Sequence, residues 1–223
     1  PCITPLSLIA ATNNNSGGTT VRTEQTNAAR VAGTIATRPT TFDCCGETFY
    51  SFTLNVKRSS GNIDAVPVNI SKYLLGDAKV GDNVAFTGQI RTYQKFIDGK
   101  NRLIITFFAL SVDEYTEDIN DVELMGFFCK EPQHRITPLG RDICDVMLAV
   151  NRSRGKSDYI PCIVWGRTSR HIATLEIGSE VRAIGRLQSR QYVKTDADGN
   201  QTERTAYEVS INRINAVGEE VYE

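Results

Sequence analysis

Two stretches of this 223-residue chain carry the same special residues in the same order. Gly33 and Pro39 recur as Gly126 and Pro132, 93 positions later. Leu54, Arg58 and Pro67 recur as Leu148, Arg152 and Pro161 at an offset of 94. Gly81, Val84 and Gly88 recur as Gly178, Val181 and Gly185 at 97. The offset widens only through loop-like segments, as it does when a folded unit has been duplicated. Glycine and proline restrict or release the backbone more than other residues do. Their recurrence therefore means a recurring backbone path, and the chain reads as two copies of one small domain, a size that can still build a core.

Each copy reads as strands, a short helix, then strands. In the first, Val31 to Ile35, Phe49 to Val56, Ile63 to Ile70, Asn83 to Tyr93 and Arg102 to Val112 have strand character. Phe49 to Val56 alternates cleanly, the mark of a half-buried strand. Pro67 implies an edge or a bulge, and Gly88 a bend in a sharply curved sheet. Asp98-Gly99 is a hairpin signal. In the second, the strands are Val122 to Phe128, Asp142 to Val150, Tyr159 to Trp165, Glu180 to Tyr192 and Arg204 to Ile214, with a turn at Asp196 to Gly199. Short helical pieces fall at Ser71 to Asp77 and Thr168 to Glu176. No βαβ repeat exists, so the expectation is an all-β chain of two tandem small barrels rather than a parallel sheet with crossover helices. The expected limits are an N-terminal arm at 1–29, a first domain at 30–115, an acidic linker at 116–120, a second domain at 121–217 and a short acidic tail at 218–223.

Charge does not single out a partner. The formal net charge is -1, but residues 30–115 and 120–215 are each net +2, with acids such as Glu117, Asp118, Glu219 and Glu220 at the margins. A local basic face matters more for nucleic acid than the sum. Six cysteines form no CxxC pair, and neither His134 nor His171 has metal-ligand spacing to a cysteine, so a reduced protein without a metal is expected. Pro1 to Ala11 has no basic lead and is not read as a signal peptide. No run of 18 apolar residues occurs, so no membrane span is expected. Motifs for catalysis (GxxxxGK, HExxH, GxSxG) and clustered acids are missing, which argues against an enzyme.

The second copy carries a specific series of motifs. They are Asn120-Asp121-Val122-Glu123-Leu124-Met125-Gly126, Lys130-Glu131-Pro132, Arg135-Ile136-Thr137-Pro138-Leu139-Gly140, Leu148-Ala149-Val150-Asn151-Arg152, Trp165-Gly166-Arg167 and Gly185-Arg186-Leu187-Gln188-Ser189-Arg190-Gln191-Tyr192. In this order they resemble the bacterial single-stranded DNA-binding protein family and, less closely, the related primosomal replication protein. The resemblance covers residues 120–215, and the first copy is a diverged version of it. It implies a five-stranded OB barrel for each copy. It also implies a homodimer, because family members usually work as four OB folds. Base-stacking aromatics carry over to Tyr159, Trp165 and Tyr192. A further family aromatic has no counterpart in the short loop Ser153 to Asp158. In the first copy Ser71 stands where Trp165 does and Ala65 where Tyr159 does, with Tyr73, Tyr93 and Phe96 nearby. The ending Glu219-Glu220-Val221-Tyr222-Glu223 is at best a rudiment of the family's partner-recruiting tip.

Physical chemistry assigns matching roles. Trp165, Tyr159 and Tyr192 are platforms for bases, or else core and surface aromatics. Arg186 and Arg190 share a strand face with Gln188 and Tyr192, suited to phosphates, or to carboxylates on a solvated rim. Arg152, Arg154 and Lys156 form the densest basic cluster, and Lys57, Arg58, Arg91 and Lys95, with Tyr93 and Phe96, its weaker analogue. The expected function is binding of single-stranded DNA with little sequence preference, in replication, recombination or repair, without a cofactor. RNA fits the same platform, replication or repair proteins are further partners, and the expected location is cytoplasmic and nucleoid-associated. The alternative is a protein-interaction or primosome-assembly module.

Overall fold

The computed structural model describes residues 26–97, 99–152, 155–195, 199 and 201–217. The arm up to residue 25, Arg154, the turn residues 196–198 and the acidic tail lie outside the described residues. The first half contains β1 (Asn27–Ile35), β2 (Thr40–Cys44), β3 (Glu47–Lys57), β4 (Ile63–Ser71), α1 (Lys72–Leu75), β5 (Asn83–Ile97) and β6 (Lys100–Asp113). The second repeats the order with β7 (Ile119–Phe128), β8 (Gln133–Ile136), β9 (Asp142–Asn151), β10 (Ser157–Trp165), α2 (Arg167–Ile172), β11 (Glu180–Thr195) and β12 (Gln201–Ala216). The strands form one sheet in the order β2-β3-β4-β6-β5-β1-β7-β11-β12-β10-β9-β8, and pairings of β1 with β3 and of β7 with β9 close each half into a barrel. The expected all-β pair of OB-type barrels is what forms.

Two strands were not legible. β2 and β8 are outer ribbons paired only to β3 and β9, and β8 is exposed throughout. β8 has no buried face, and β2 only half-buries Phe42 and Cys44 over five residues, too short a run to show a period-2 pattern. The first barrel also starts earlier than expected, at Asn27 rather than residue 30. Ile119 and Asn120 belong to β7 rather than to a linker. Before them, Asp118 accepts hydrogen bonds from the Lys57 backbone N–H at 2.6 Å and the Tyr115 hydroxyl at 2.8 Å, which pins the connection to the first barrel.

The repeated glycines sit where backbones cross. A Cβ on Gly126 would lie 2.6 Å from the Ala149 carbonyl oxygen, and one on Gly33 would collide with the carbonyl of Asn55. Gly88 and Gly185 occupy register shifts in β5 and β11. Added Cβ atoms there would run into the Phe108 and Ser210 carbonyls. The bend expected at Gly88 is thus a bulge that lets a long strand turn across the barrel. Inside each barrel, alternate residues fill the core: Val31, Leu54, Val66, Phe86 and Phe107 in one, Leu124, Leu148, Ile160, Val181 and Leu187 in the other, all fully buried. Each such side chain contributes about 1.5–3 kcal/mol relative to exposure.

The two barrels are joined about a pseudo-two-fold axis. β1 and β7 pair antiparallel with Ala29 opposite Val122, and those residues are themselves 93 apart. Beyond the axis, Asn27 donates to the Ile90 carbonyl at 2.7 Å and accepts from the Ile90 N–H at 2.9 Å. Asn120 does the same for Leu187, at 2.7 and 2.9 Å. Each amide stands in for a ladder partner where a long strand peels away from β1 or β7. The β5–β6 hairpin then crosses to β10, and the β11–β12 hairpin crosses to β4. Backbone N–H groups of Tyr159 and Ala65 donate to the hydroxyls of Thr92 (2.9 Å) and Ser189 (3.2 Å) on the opposing arms.

Two buried aspartates lock this crossing. Asp158 accepts from Arg91 at 2.9 Å, from the Thr92 N–H at 2.6 Å and from Arg152 Nε at 2.5 Å. Asp64, its repeat partner, holds Arg58 at 2.7 Å and lies 3.6 Å from Arg186. Burial pushes the Arg91 guanidinium below its ordinary pKa, and the Asp158 hydrogen bond and charge oppose that. The Asp64 hydrogen bond holds Arg58 above the usual value, against a smaller desolvation effect.

Two outcomes test this account. Gly185→Ala forces the Ser210 carbonyl aside, and its urea midpoint should fall by the equivalent of about 1–3 kcal/mol. Asp158→Asn strips the counter-charge from two buried guanidinium groups, and denaturant unfolding should register a loss of about 3–5 kcal/mol. Wild-type stability in either variant would refute the corresponding constraint.

Candidate nucleic-acid interface

β10 buries Ile160, Cys162, Ile163 and Val164, leaves Pro161 half-buried and exposes Tyr159 and Trp165. That places Tyr159 (51% exposed) and Trp165 (36% exposed) on one face. Six residues apart on a strand, they are about 20 Å from each other. Burial of Leu187 fixes the face of β11 after its bulge, so Arg186, Gln188, Arg190 and Tyr192 lie on the face opposite it, with Gln188 covered and Arg190 and Tyr192 exposed. The alternation expected from the sequence is therefore present.

Trp165 does not fold back into the core. Its Nε1 donates to the Ser210 hydroxyl at 3.0 Å, and Ser210 sits directly opposite Arg186 in the β11–β12 ladder. The indole thus stands upright beside the arginine row, held by its polar edge with apolar surface left in solvent. Trp165, Ser210, Arg186, Gln188 and Arg190 line an open groove of about 600 Å³, with Arg141 and the first barrel's Arg58 on its rim. The described lining holds four arginines and no carboxylate. Arg186 is partly desolvated, which lowers its pKa, and the neighbouring Arg58 charge acts in the same direction. A second anion-seeking charge this close to Arg58 lacks a full partner: Arg186 Nε is buried without a hydrogen-bond acceptor.

Arg190 reaches along the strand to sit 5.8 Å from the centre of the Tyr192 ring. Its Nε is 3.9 Å from Glu208, and Gln188 donates to that same carboxylate at 2.8 Å. The rim carboxylate weighed against phosphate binding is therefore real, but it holds Arg190 loosely. Tyr192 opens into a second groove with Pro161 and Tyr207, walled on the far side by Ile97, Lys100, Arg102 and Leu103 of the first barrel.

The expected residues thus divide. Trp165, Arg186, Arg190 and Tyr192 come together, and Tyr159 marks the far end of the same strand face. Lys156 is exposed in the loop preceding Tyr159, while Arg154 lies outside the described residues. Arg152 and Arg91 are corrected: both spend their charge on fully buried Asp158, with side chains 16% and 10% exposed, and neither is a free phosphate contact. Arg58 is similarly tied to Asp64, although its edge reaches the Trp165 groove. Lys57, Lys95 and Phe96 are exposed, whereas Tyr93 is half-buried and its hydroxyl pKa is raised by desolvation. They do not assemble into a second face like the first. Ser71 is buried where Trp165 would be, and only half-buried Ala65 matches Tyr159.

Arg141, Ser210, Tyr207 and Glu208 were not anticipated. The alternation of β12 contains the signal for Ser210 and Glu208, since both lie opposite outward residues of β11. Arg141 comes from a turn after Gly140, and no local pattern marks it.

This geometry has known counterparts. The model of the family described as "Single-strand binding protein family" matches residues 119–217. Single-stranded DNA-binding protein B of Bacillus subtilis is 38% identical over 80 residues, covering 33% of this chain and 71% of that relative. Single-stranded DNA-binding protein 2 of Listeria innocua is 36% identical over 90 residues, 37% of this chain and 55% of that protein. The chain spans about half the length of several of the curated relatives it matches. Among solved structures, the wild-type single-stranded DNA binding protein from Thermus aquaticus superposes with a TM-score of 0.69 at 20% identity, over 88% of this chain and 95% of that one. Its fold therefore extends across both barrels, well beyond the family match. On the similarity to the Bacillus subtilis protein, the chain belongs to the single-strand binding protein family.

Proposed function

We propose that this chain binds single-stranded DNA with little sequence preference. One observation carries the reading: a half-open tryptophan and a row of arginines share one groove that has no carboxylate in its described lining, and Arg190 at its end lies over Tyr192 of the adjoining groove. Bases stack on Trp165, Tyr192 and Tyr159 because every base has a π-face, and this tolerates sequence. Arg186, Arg190 and Arg141 meet phosphates, and Arg190 also stacks. The relatives named single-stranded DNA-binding protein support DNA as the ligand. The binding needs no cofactor and no turnover.

The second barrel is the main binding body in this reading, and the first is chiefly its structural partner, since Ser71 and Ala65 give it no matching platform. Two such chains would supply four barrels, and protection or presentation of DNA in replication, recombination or repair, at the nucleoid, is the corresponding role.

Trp165 is the single tryptophan, so its emission has one source. Titration with oligo-dT should quench it, and the logarithm of affinity should fall with the logarithm of salt by about 0.7 per phosphate contact. In an anisotropy assay Trp165→Ala should lose about 1–3 kcal/mol of binding. No quenching together with no anisotropy change would end the DNA-binding reading.

A further inference from the structure

We infer that the β5–β6 arm of the first barrel completes the strand-binding path of the second, with Lys100 as its phosphate contact. The inference rests on the reading of the Trp165 groove as a DNA site and extends it to a composite surface. The Trp165 groove does not end at Arg190. Across the β11–β12 ladder Arg190 faces Ala206, and Ala206 already lines the second groove, with Tyr192, Pro161 and Tyr207. The Arg190 guanidinium over the Tyr192 ring bridges the two. A strand leaving Trp165 past Arg190 therefore enters a channel with an aromatic wall from the second barrel.

The opposite wall is the first barrel's arm, formed by Ile97 and by Lys100 to Ile105. Ile97 pairs with Lys100 at its turn, where Gly99 takes the positive φ the tight reversal requires. This puts the exposed Lys100 at the mouth of the channel, beside Arg102. The described lining again has no carboxylate. The Thr92 contacts to Tyr159 and Asp158 clamp the base of the arm to β10. Apolar Leu103 and Ile104 line the gap together with Tyr192 and Pro161, and Lys100 stands exposed beside them. Such a slot accepts a stacked base with its phosphate outside. The first barrel thus serves the site with its arm, although its own sheet face lacks the aromatics.

The test uses the full chain with Lys100→Glu, alongside Lys79→Glu as an equal charge change on the α1–β5 turn outside both grooves. Binding is read by anisotropy with the shortest oligo-dT that gives full Trp165 quenching, and with a longer one. For Lys100→Glu, affinity for the long oligonucleotide should fall by about threefold or more, and its salt slope should become shallower by about 0.7, one single-strand phosphate contact. Short-oligonucleotide binding and Trp165 quenching should stay unchanged, and Lys79→Glu should behave as the unmodified chain does. An unaltered long-oligonucleotide affinity, equal losses for short and long, or an equal effect of Lys79→Glu would overturn the composite path. A failed DNA-binding reading looks different, because the unmodified chain itself would then show neither quenching nor anisotropy change.

Discussion

Everything in this molecule hangs on a carboxylate that water does not reach. Asp158 lies at the start of β10, under the arm of the other barrel, and takes Arg91 from that arm, Arg152 from its own barrel and the N–H of Thr92. An isolated buried carboxylate would be very costly, so its position demands both guanidinium groups and a hydrogen-bonding backbone. Meeting that demand sets the crossing angle of the β5–β6 arm, the place of Tyr159 beside it, and the distance between the barrels. Asp64 makes a related but not identical arrangement on the other side of the axis: its second arginine, Arg186, comes from the position matching Gln89, stands 3.6 Å away and faces a groove. One crossing is sealed, and the other leaves a cation at the surface.

That difference separates architecture from binding. Positive charge in this chain is of two kinds. Arg91, Arg152 and most of Arg58 neutralise buried acids and hold barrels together. Arg186, Arg190 and Arg141 line an open groove, and at Arg186 desolvation and the neighbouring Arg58 charge make a phosphate a favourable neighbour. Net charge cannot tell the two apart, which is why a chain at -1 overall can present a groove with four arginines and no carboxylate in its described lining.

The legible parts of the sequence were those where a local rule and the global fold agree. The glycine and proline repeat revealed the duplication because close backbone approach admits no side chain, as at Gly126 and Gly185. Alternation in β3 and around Leu187 in β11 separated inward from outward residues, and Arg186, Arg190 and Tyr192 lie on one face of β11. The ribbons β2 and β8 stayed hidden because β8 is buried on neither side and β2 half-buries only Phe42 and Cys44. The misplaced cations were Arg91 and Arg152. Their partner Asp158 was in plain view, but the contact of Arg91 spans 67 residues and two barrels. The long-range pairing of arms decides it, and no window of sequence contains that pairing.

The β1–β7 ladder also bears on how the two halves can change. In an assembly of identical chains, a two-fold ladder duplicates each substitution: one altered codon changes both sides at once, and a change that helps one site but harms the other is rejected. Here the equivalents across the axis are separate codons. Ser71 could become a buried core residue while Trp165 remained an open platform, and Gln89 could stand where the other barrel keeps Arg186. Fusion of the halves into one polypeptide thus turns a symmetric scaffold into one whose two faces drift independently, with the shared ladder alone obliged to stay matched.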